Sequence, residues 1–430
     1  MPIFNLILAA LRYRSVNIGL IVFALCVCSA AQSGVPTEVS DFYPSTMNAE
    51  PYLPADLASR ELGCLALSAS DSRYRSSQAV DYSASGWEEQ ISAEWDHLSA
   101  PEDNGRITII DFRQADNREL TYRYLANANS QNELYEPWSS SKIFAYTGAI
   151  ATLRQQGVGA TSKIGNVSVA DLITSINSYS PTGNAPDDSN AIATYFANIA
   201  GRDFLTRLFH DDWLKLSNPD VRFRGAYGPI AFVPSQPDWK DGQQSVIPSL
   251  YVNAGDDPGY QSYRCDDCDL TGNKPMTTLA QAEWLKRLAA HTRDAATQHP
   301  HLTAQDIQIL FYGSTGRGGM MAGISRMLPN ALAAVLEPNS TRSPKAILDQ
   351  ATQGQWRIFQ KIGWGPSETR MAGENVVLAH VCLPHFQGGR EFTIAAQAAQ
   401  SGYGDEFVNY AGMKMQDLLT RSLGELLYPQ

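Results

Sequence analysis

Apolar and polar positions divide the chain into a strand-rich start, a helix-rich middle and a strand-rich end. Two runs of β-branched and aromatic residues, 106–112 (RITIIDF) and 119–125 (ELTYRYL), flank a polar Gln-Ala-Asp-Asn stretch and predict a hairpin. A helix begins near Ser139, where Ile143, Tyr146, Ile150 and Leu153 recur at helical spacing and bury one face. Ser168-Val-Ala-Asp171 is a capping-box pattern ahead of Leu172, Ile173 and Ile176, and 191–209 continues helical. Thr278-Leu-Ala-Gln281 caps a helix that reaches about His291. The segments 356–363, 375–383 and 391–400 read as strands, and 405–423 closes the chain as a helix with Phe407, Ala411, Met415, Leu418 and Leu419 on one face. A further stretch at 86–98 (GWEEQISAEWDHL) also has helical spacing.

This order predicts an α+β fold. One antiparallel sheet is built from both chain ends and flanked by helices, with an all-helical region inserted between its halves. A groove between the two parts is the natural place for a site. Residues 32–87 are polar and turn-rich and read as an extension that packs on, or trails from, a main domain at 88–430. The span 211–272 is irregular and rich in Gly, Pro, Asp and Ser; loops of that size are functional or disordered. No internal repeat or low-complexity segment is present.

The first 31 residues contain no Asp or Glu. Arg12 and Arg14 precede an apolar run at 16–27, and Ser29-Ala30-Ala31 suits a signal-peptidase site. This predicts export to the periplasm or beyond the cell, with no membrane span once the signal is removed; an uncleaved N-terminal anchor is the rival reading. Without that segment 31 basic residues face 44 acidic ones, a net charge of −13. That balance argues against nucleic acid or an anionic membrane as the main partner.

Four cysteines remain: Cys64, Cys265, Cys268 and Cys382. In an oxidising compartment they allow two disulfides in three connectivities. Cys265-Asp-Asp-Cys268 closes a short loop or binds metal, and the compartment favours the disulfide. The seven histidines show no His-Glu-x-x-His pattern, so neither a metal nor a cofactor is expected. Gly313-Ser-Thr-Gly316-Arg-Gly318-Gly319 lacks dinucleotide-binding spacing and reads as a turn between helices. No Gly-x-Ser-x-Gly elbow is present.

The candidate chemistry lies in Trp138-Ser139-Ser140-Ser141-Lys142. Ser139 and Lys142 stand one helical turn apart on one face, so a lysine with a lowered pKa is placed to activate a serine nucleophile. Ser-x-x-Lys directly after a hairpin resembles the serine β-lactamases and penicillin-binding transpeptidases. The ordered motifs that follow extend the resemblance over 88–430, most like the class A pattern. Asp188-Ser189-Asn190 opens a helix where Ser-x-Asn is expected, Asn273-Lys-Pro-Met-Thr-Thr278 resembles the threonine-rich helix start, and Lys361-Ile362-Gly363 matches the strand motif Lys-(Thr/Ser)-Gly.

The resemblance implies Ser139 as nucleophile, Lys142 as base, Asp188 or Ser189 as proton donor to the leaving group, and Asn190, Lys361, Ile362 and Gly363 around substrate. Two departures bear on activity. Asp188 stands where the family has serine, and Ile362 has no hydroxyl to bind a substrate carboxylate. Class A enzymes also use a loop glutamate in deacylation, and none occurs between Glu136 and Glu283. The expected function is an acyl-enzyme serine hydrolase acting on an amide or ester, β-lactam or peptidoglycan-like, with efficient class A hydrolysis doubtful. The alternative is an inactive binding or scaffold protein of the cell envelope on the same fold.

Overall fold

The computed structural model describes residues 36–58, 60–100, 105–261 and 273–429. The expected signal segment and the Cys265 and Cys268 pair lie outside them. The described chain opens with α1 (Thr37–Phe42) and three two-residue strands, β1 (Leu67–Ser68), β2 (Arg75–Ser76) and β3 (Ala93–Glu94). The hairpin follows as β4 (Arg106–Ala115) and β5 (Leu120–Ala126), with Ile109 opposite Leu125.

The middle contains α2 (Lys142–Arg154), β6 (Lys163–Ile164), β7 (Val167–Ser168), α3 (Val169–Ser178), α4 (Ser189–Ala200) and α5 (Arg202–His210). After these come β8 (Trp239–Asp241), β9 (Gln244–Val246), α6 (Thr278–Ala290), α7 (Ala304–Tyr312), α8 (Met327–Leu336) and α9 (Pro344–Thr352). The chain closes with β10 (Arg357–Ser367), β11 (Ala372–Leu383), β12 (Arg390–Ser401) and α10 (Asp405–Leu427).

The main sheet runs β10-β11-β12-β4-β5-β2, with β1 added beside β4 and β3 beside β5. The join between chain ends is the antiparallel pairing of β12 with β4, where Ile394 faces Ile109. The sheet built from both termini is therefore as expected, and its long pairings are all antiparallel. Only the short β1 and β3 run parallel to their partners. One apolar cluster fills the space between the sheet and α2, α4 and α6, and a second lies between the sheet and α8 and α10.

Several expectations are corrected. The inserted region is not all-helical, because the irregular span supplies β8 and β9 to a small sheet of order β7-β6-β8-β9. Residues 86–98 form one 3-10 turn (Trp87–Glu89) and β3, not a helix. Trp87 is pulled into the core, where its indole donates to the Leu214 carbonyl (2.7 Å), and β3 pairs with Tyr124 and Leu125. The stretch 191–209 is broken at Gly201, whose φ of +79° turns the chain between α4 and α5. Thr277, not Thr278, caps α6, leaving Thr278 free to hydrogen-bond Thr108 of the sheet at 2.7 Å.

Helix α2 is buried around its whole circumference rather than on one face. Phe144 packs edge-on against Phe209 and Trp284, with ring centroids 5.2 and 4.7 Å apart. A helix apolar on every side belongs in the interior, and each large apolar side chain so buried contributes about 1.5–3 kcal/mol. The extension packs on the domain. Met47 is fully buried in the cluster beneath α10, and a disulfide joins Cys64 to Cys382 of β11 with Cα atoms 5.7 Å apart.

Candidate active site

Because α2 runs through the interior, the chain enters it by a tight turn, the 3-10 segment Trp138–Ser141. Two of its three serines tie that turn together. Ser140 donates to the Pro137 carbonyl (2.6 Å) and accepts from Gln281 (2.8 Å), while Ser141 donates to the Trp138 carbonyl (2.8 Å). Ser139 is the one whose residue lines a cavity of about 330 Å3, along with Asn190, Tyr227, Lys274 and Trp364.

Trp138 has a left-handed φ of +49°, rare for a bulky side chain. Its indole donates to Glu374 (2.8 Å), and Arg370 binds both Glu374 and Glu136. This charged group holds the strained residue directly before Ser139, the kind of strain that persists only where its surroundings over-determine it.

β10 is the edge strand of the sheet, and its free edge lies against the turn. A Cβ on Gly363 would stand 2.6 Å from the Ser139 nitrogen, and one on Gly365 would stand 2.4 Å from the Trp138 ring. Those two positions must be bare for strand and turn to approach. Ile362, directly before Gly363, points the other way into the apolar cluster with Met327 and Val377 and is 1 % exposed. The sequence reading placed Ile362 beside substrate; strand alternation sends it to the core.

Lys142 opens α2 and is fully buried. Its Nζ donates to Ser189 Oγ (2.9 Å) and Asn190 Oδ1 (2.7 Å), both at the start of α4. Burial lowers its pKa to about 7, with Asp188 opposing the shift and Lys274 adding to it. Ser189 donates its own proton to the Ile176 carbonyl (2.8 Å), so its lone pair is what faces Lys142. Asp188 is exposed, and its carboxylate accepts the Ala191 N–H (2.9 Å) as the helix cap. The sequence reading offered Asp188 or Ser189 as proton donor; the cap turns Asp188 outward and leaves Ser189 against Lys142.

Tyr179 was not foreseen. It terminates α3 in a left-handed conformation (φ +54°), which swings its phenol back between the other groups. The hydroxyl accepts from Lys361 Nζ (2.8 Å), and Ser139 and Ser189 lie close enough to temper its pKa. Burial pushes the phenol upward, so it keeps its proton at neutral pH. Burial, reinforced by Lys142, holds Lys361 well below the usual lysine range, so the fixed positive charge expected of it is not secured. The Lys142 and Lys361 nitrogens stand 5.0 and 4.1 Å from the Tyr179 ring centre. No sequence spacing marks Tyr179; the only local hint is a helix end ahead of Pro181.

Ser139, Lys142, Ser189, Asn190, Lys361 and Gly363 thus come together, while Asp188 sits at the rim and Ile362 faces away. A second cavity of about 480 Å3 shares the walls Trp138 and Trp364 and is completed by Tyr43 of the extension and by Asp405 and Val408 of α10. Among the described residues no cluster of His, Cys, Asp and Glu is arranged to hold a metal ion. Also among them, no helix is long and apolar enough to cross a membrane.

No protein-family model matches the chain. No curated protein matches it either. Among solved structures, a β-lactamase from Streptosporangium roseum is similar at 14% identity and TM-score 0.36, over 75% of this chain and 95% of its own. An ancestral class A β-lactamase is similar at 13% identity and TM-score 0.38, again over 75% and 95%. The C-terminal domain of the Bacillus licheniformis penicillin receptor is similar at 11% identity and TM-score 0.36, over 78% of this chain and 98% of its own.

Proposed function

We propose that this chain is an exported serine hydrolase of the β-lactamase and penicillin-binding type that works through an acyl-enzyme on Ser139. The observation that carries the reading is the state of Lys142: fully buried, with two N–H groups spent on Ser189 and Asn190. A neutral amine so held keeps one lone pair, one helical turn from Ser139.

Lys142 takes the Ser139 proton as Oγ attacks an ester or amide carbonyl. The Ser139 N–H and the N–H following Gly363 on β10 stabilise the oxyanion. Collapse expels the leaving group, which takes a proton from the Tyr179 hydroxyl; the proton held by Lys142 restores Tyr179 once Ser189 Oγ turns from the Ile176 carbonyl to pass it on. Asn190 holds Lys142 and meets the substrate amide. With Ile362 in the core and Lys361 low in charge, the site lacks the usual means of gripping a substrate carboxylate, which favours a neutral ester or amide. The aromatic cavity beyond Trp138 and Trp364 receives the substrate's distal part.

The test is covalent labelling of the mature protein with a fluorescent penicillin and a fluorophosphonate, read by intact mass beside Ser139→Ala. A Ser139-dependent adduct is expected, with the fluorophosphonate preferred. Equal labelling of Ser139→Ala overturns the assignment. No adduct from folded protein favours the non-catalytic envelope-binding reading.

A further inference from the structure

The cavity that Ser139 lines also carries a second buried lysine, Lys274. Lys274 is 6 % exposed, and its Nζ donates to the Ala226 carbonyl (3.1 Å) and Asn273 Oδ1 (2.6 Å). Among the described residues no carboxylate lies within ion-pair distance of it. The nitrogen stands 4.9 Å from the Tyr227 ring centre, and the Tyr227 hydroxyl meets Ser141 Oγ at 3.0 Å. Lys274 is therefore registered, through one ring, to the turn that presents Ser139.

An acyl-enzyme turns over only if a water is activated beside it. The one carboxylate lining the cavity, Glu136, is paired with Arg370 at 2.8 Å. Lys142 is already committed to Ser189 and Asn190. We infer that Lys274 is a second amine base, which activates the water that hydrolyses acyl-Ser139; this rests on the reading of Ser139 as nucleophile.

With both N–H groups of the neutral amine on carbonyl oxygens, its lone pair is left for the cavity. Burial brings the lysine down to about 8, so a neutral fraction exists near pH 7. The water proton passes to Nζ and the water oxygen bonds the acyl carbon. Collapse breaks the carbon–Oγ bond, Oγ takes the Tyr179 proton, and solvent returns a proton to Tyr179. The proton on Lys274 returns to solvent, so one water is consumed and a carboxylic acid and free serine result.

The test uses the mature protein with p-nitrophenyl acetate, following the p-nitrophenol burst and acetyl-enzyme by mass. Lys274→Met is expected to keep a full burst while steady-state turnover falls about 100-fold, as for loss of a general base. Acetyl-enzyme then accumulates, and added methylamine shortens its lifetime. Lys274→Gln, checked by circular dichroism beside the Met variant, repeats the measurement should Met not fold. Parent-like turnover, or a loss of burst equal to the loss of turnover in a folded variant, overturns the inference. Absence of any Ser139 adduct in the parent protein is a different result and overturns the nucleophile assignment instead.

Discussion

Lys142 is bound to Ser189, not to Asp188: its amine lies 2.9 Å from the Ser189 hydroxyl, while the neighbouring carboxylate caps α4. One position along the motif separates a group in the site from a group at its rim. Ser189→Ala should loosen Lys142 and slow acylation by roughly 100-fold, the scale for a misplaced reacting group. Asp188→Ala should cost about 1 kcal/mol of stability as a lost cap and leave acylation within a few-fold. Probe-labelling rates and thermal melts of the two variants decide it, and the reverse ranking would return Asp188 to the chemistry.

Tyr179→Phe removes the hydroxyl that holds Lys361 near Ser139 and Ser189 but keeps the ring beneath both lysines. A proton donor matters most when the leaving group is poor. Turnover of an amide should fall about 100-fold, and that of an activated aryl ester only a few-fold. Equal losses on both would mean that Tyr179 merely shapes the site.

The base must be neutral to act, and burial sets Lys142 at about 7. Acylation should therefore rise with pH through about 7 and level off above it. A rate flat across that range would be inconsistent with Lys142 as base. The same lowering has a stability counterpart. Between about 7 and the ordinary lysine range, the unfolded chain binds a proton at Lys142 that the folded chain does not, so this group makes stability rise with pH there. Lys142→Met should flatten that rise and raise Tm near neutral pH by about 2–5 °C, while acylation is lost.

Gly363 is bare because Ser139 passes over it. In Gly363→Ala the new methyl would meet the Ser139 nitrogen at 2.6 Å and the Trp138 Cβ at 2.7 Å. Strand and turn must then part, carrying one oxyanion donor away from the other. Acylation should drop more than about 100-fold with the circular dichroism spectrum kept. Unchanged labelling would show that the turn and β10 need not touch.

The hairpin, the three C-terminal strands and the closing helix were legible because each presents its own period of apolar residues, and the order of the motifs was enough to put Ser139 and Lys142 on one turn. The region 86–98 was misread because its helical spacing was outweighed by the burial of Trp87 and by the pairing of Ala93 and Glu94 with β5. The break at Gly201 was hidden inside a continuous apolar pattern, where a single left-handed residue leaves almost no trace in composition.

The sequence by itself determined most of the elements, the one-turn spacing of Ser139 and Lys142 and the fold class, since these rest on periodicity and order along the chain. Only tertiary structure decided which side of the second motif faces inward, that Ile362 belongs to the core, that Lys274 lines the cavity and that Tyr179 meets Lys361. The reason is physical. A side chain's direction on a helix start or an edge strand depends on what is packed against it, and Tyr179, Lys274 and Ser139 meet through a sheet edge and three helix ends far apart in the chain. Burial then turned three lysines from surface charges into amines with lowered pKa, a property that belongs to the packed interior and not to any residue alone.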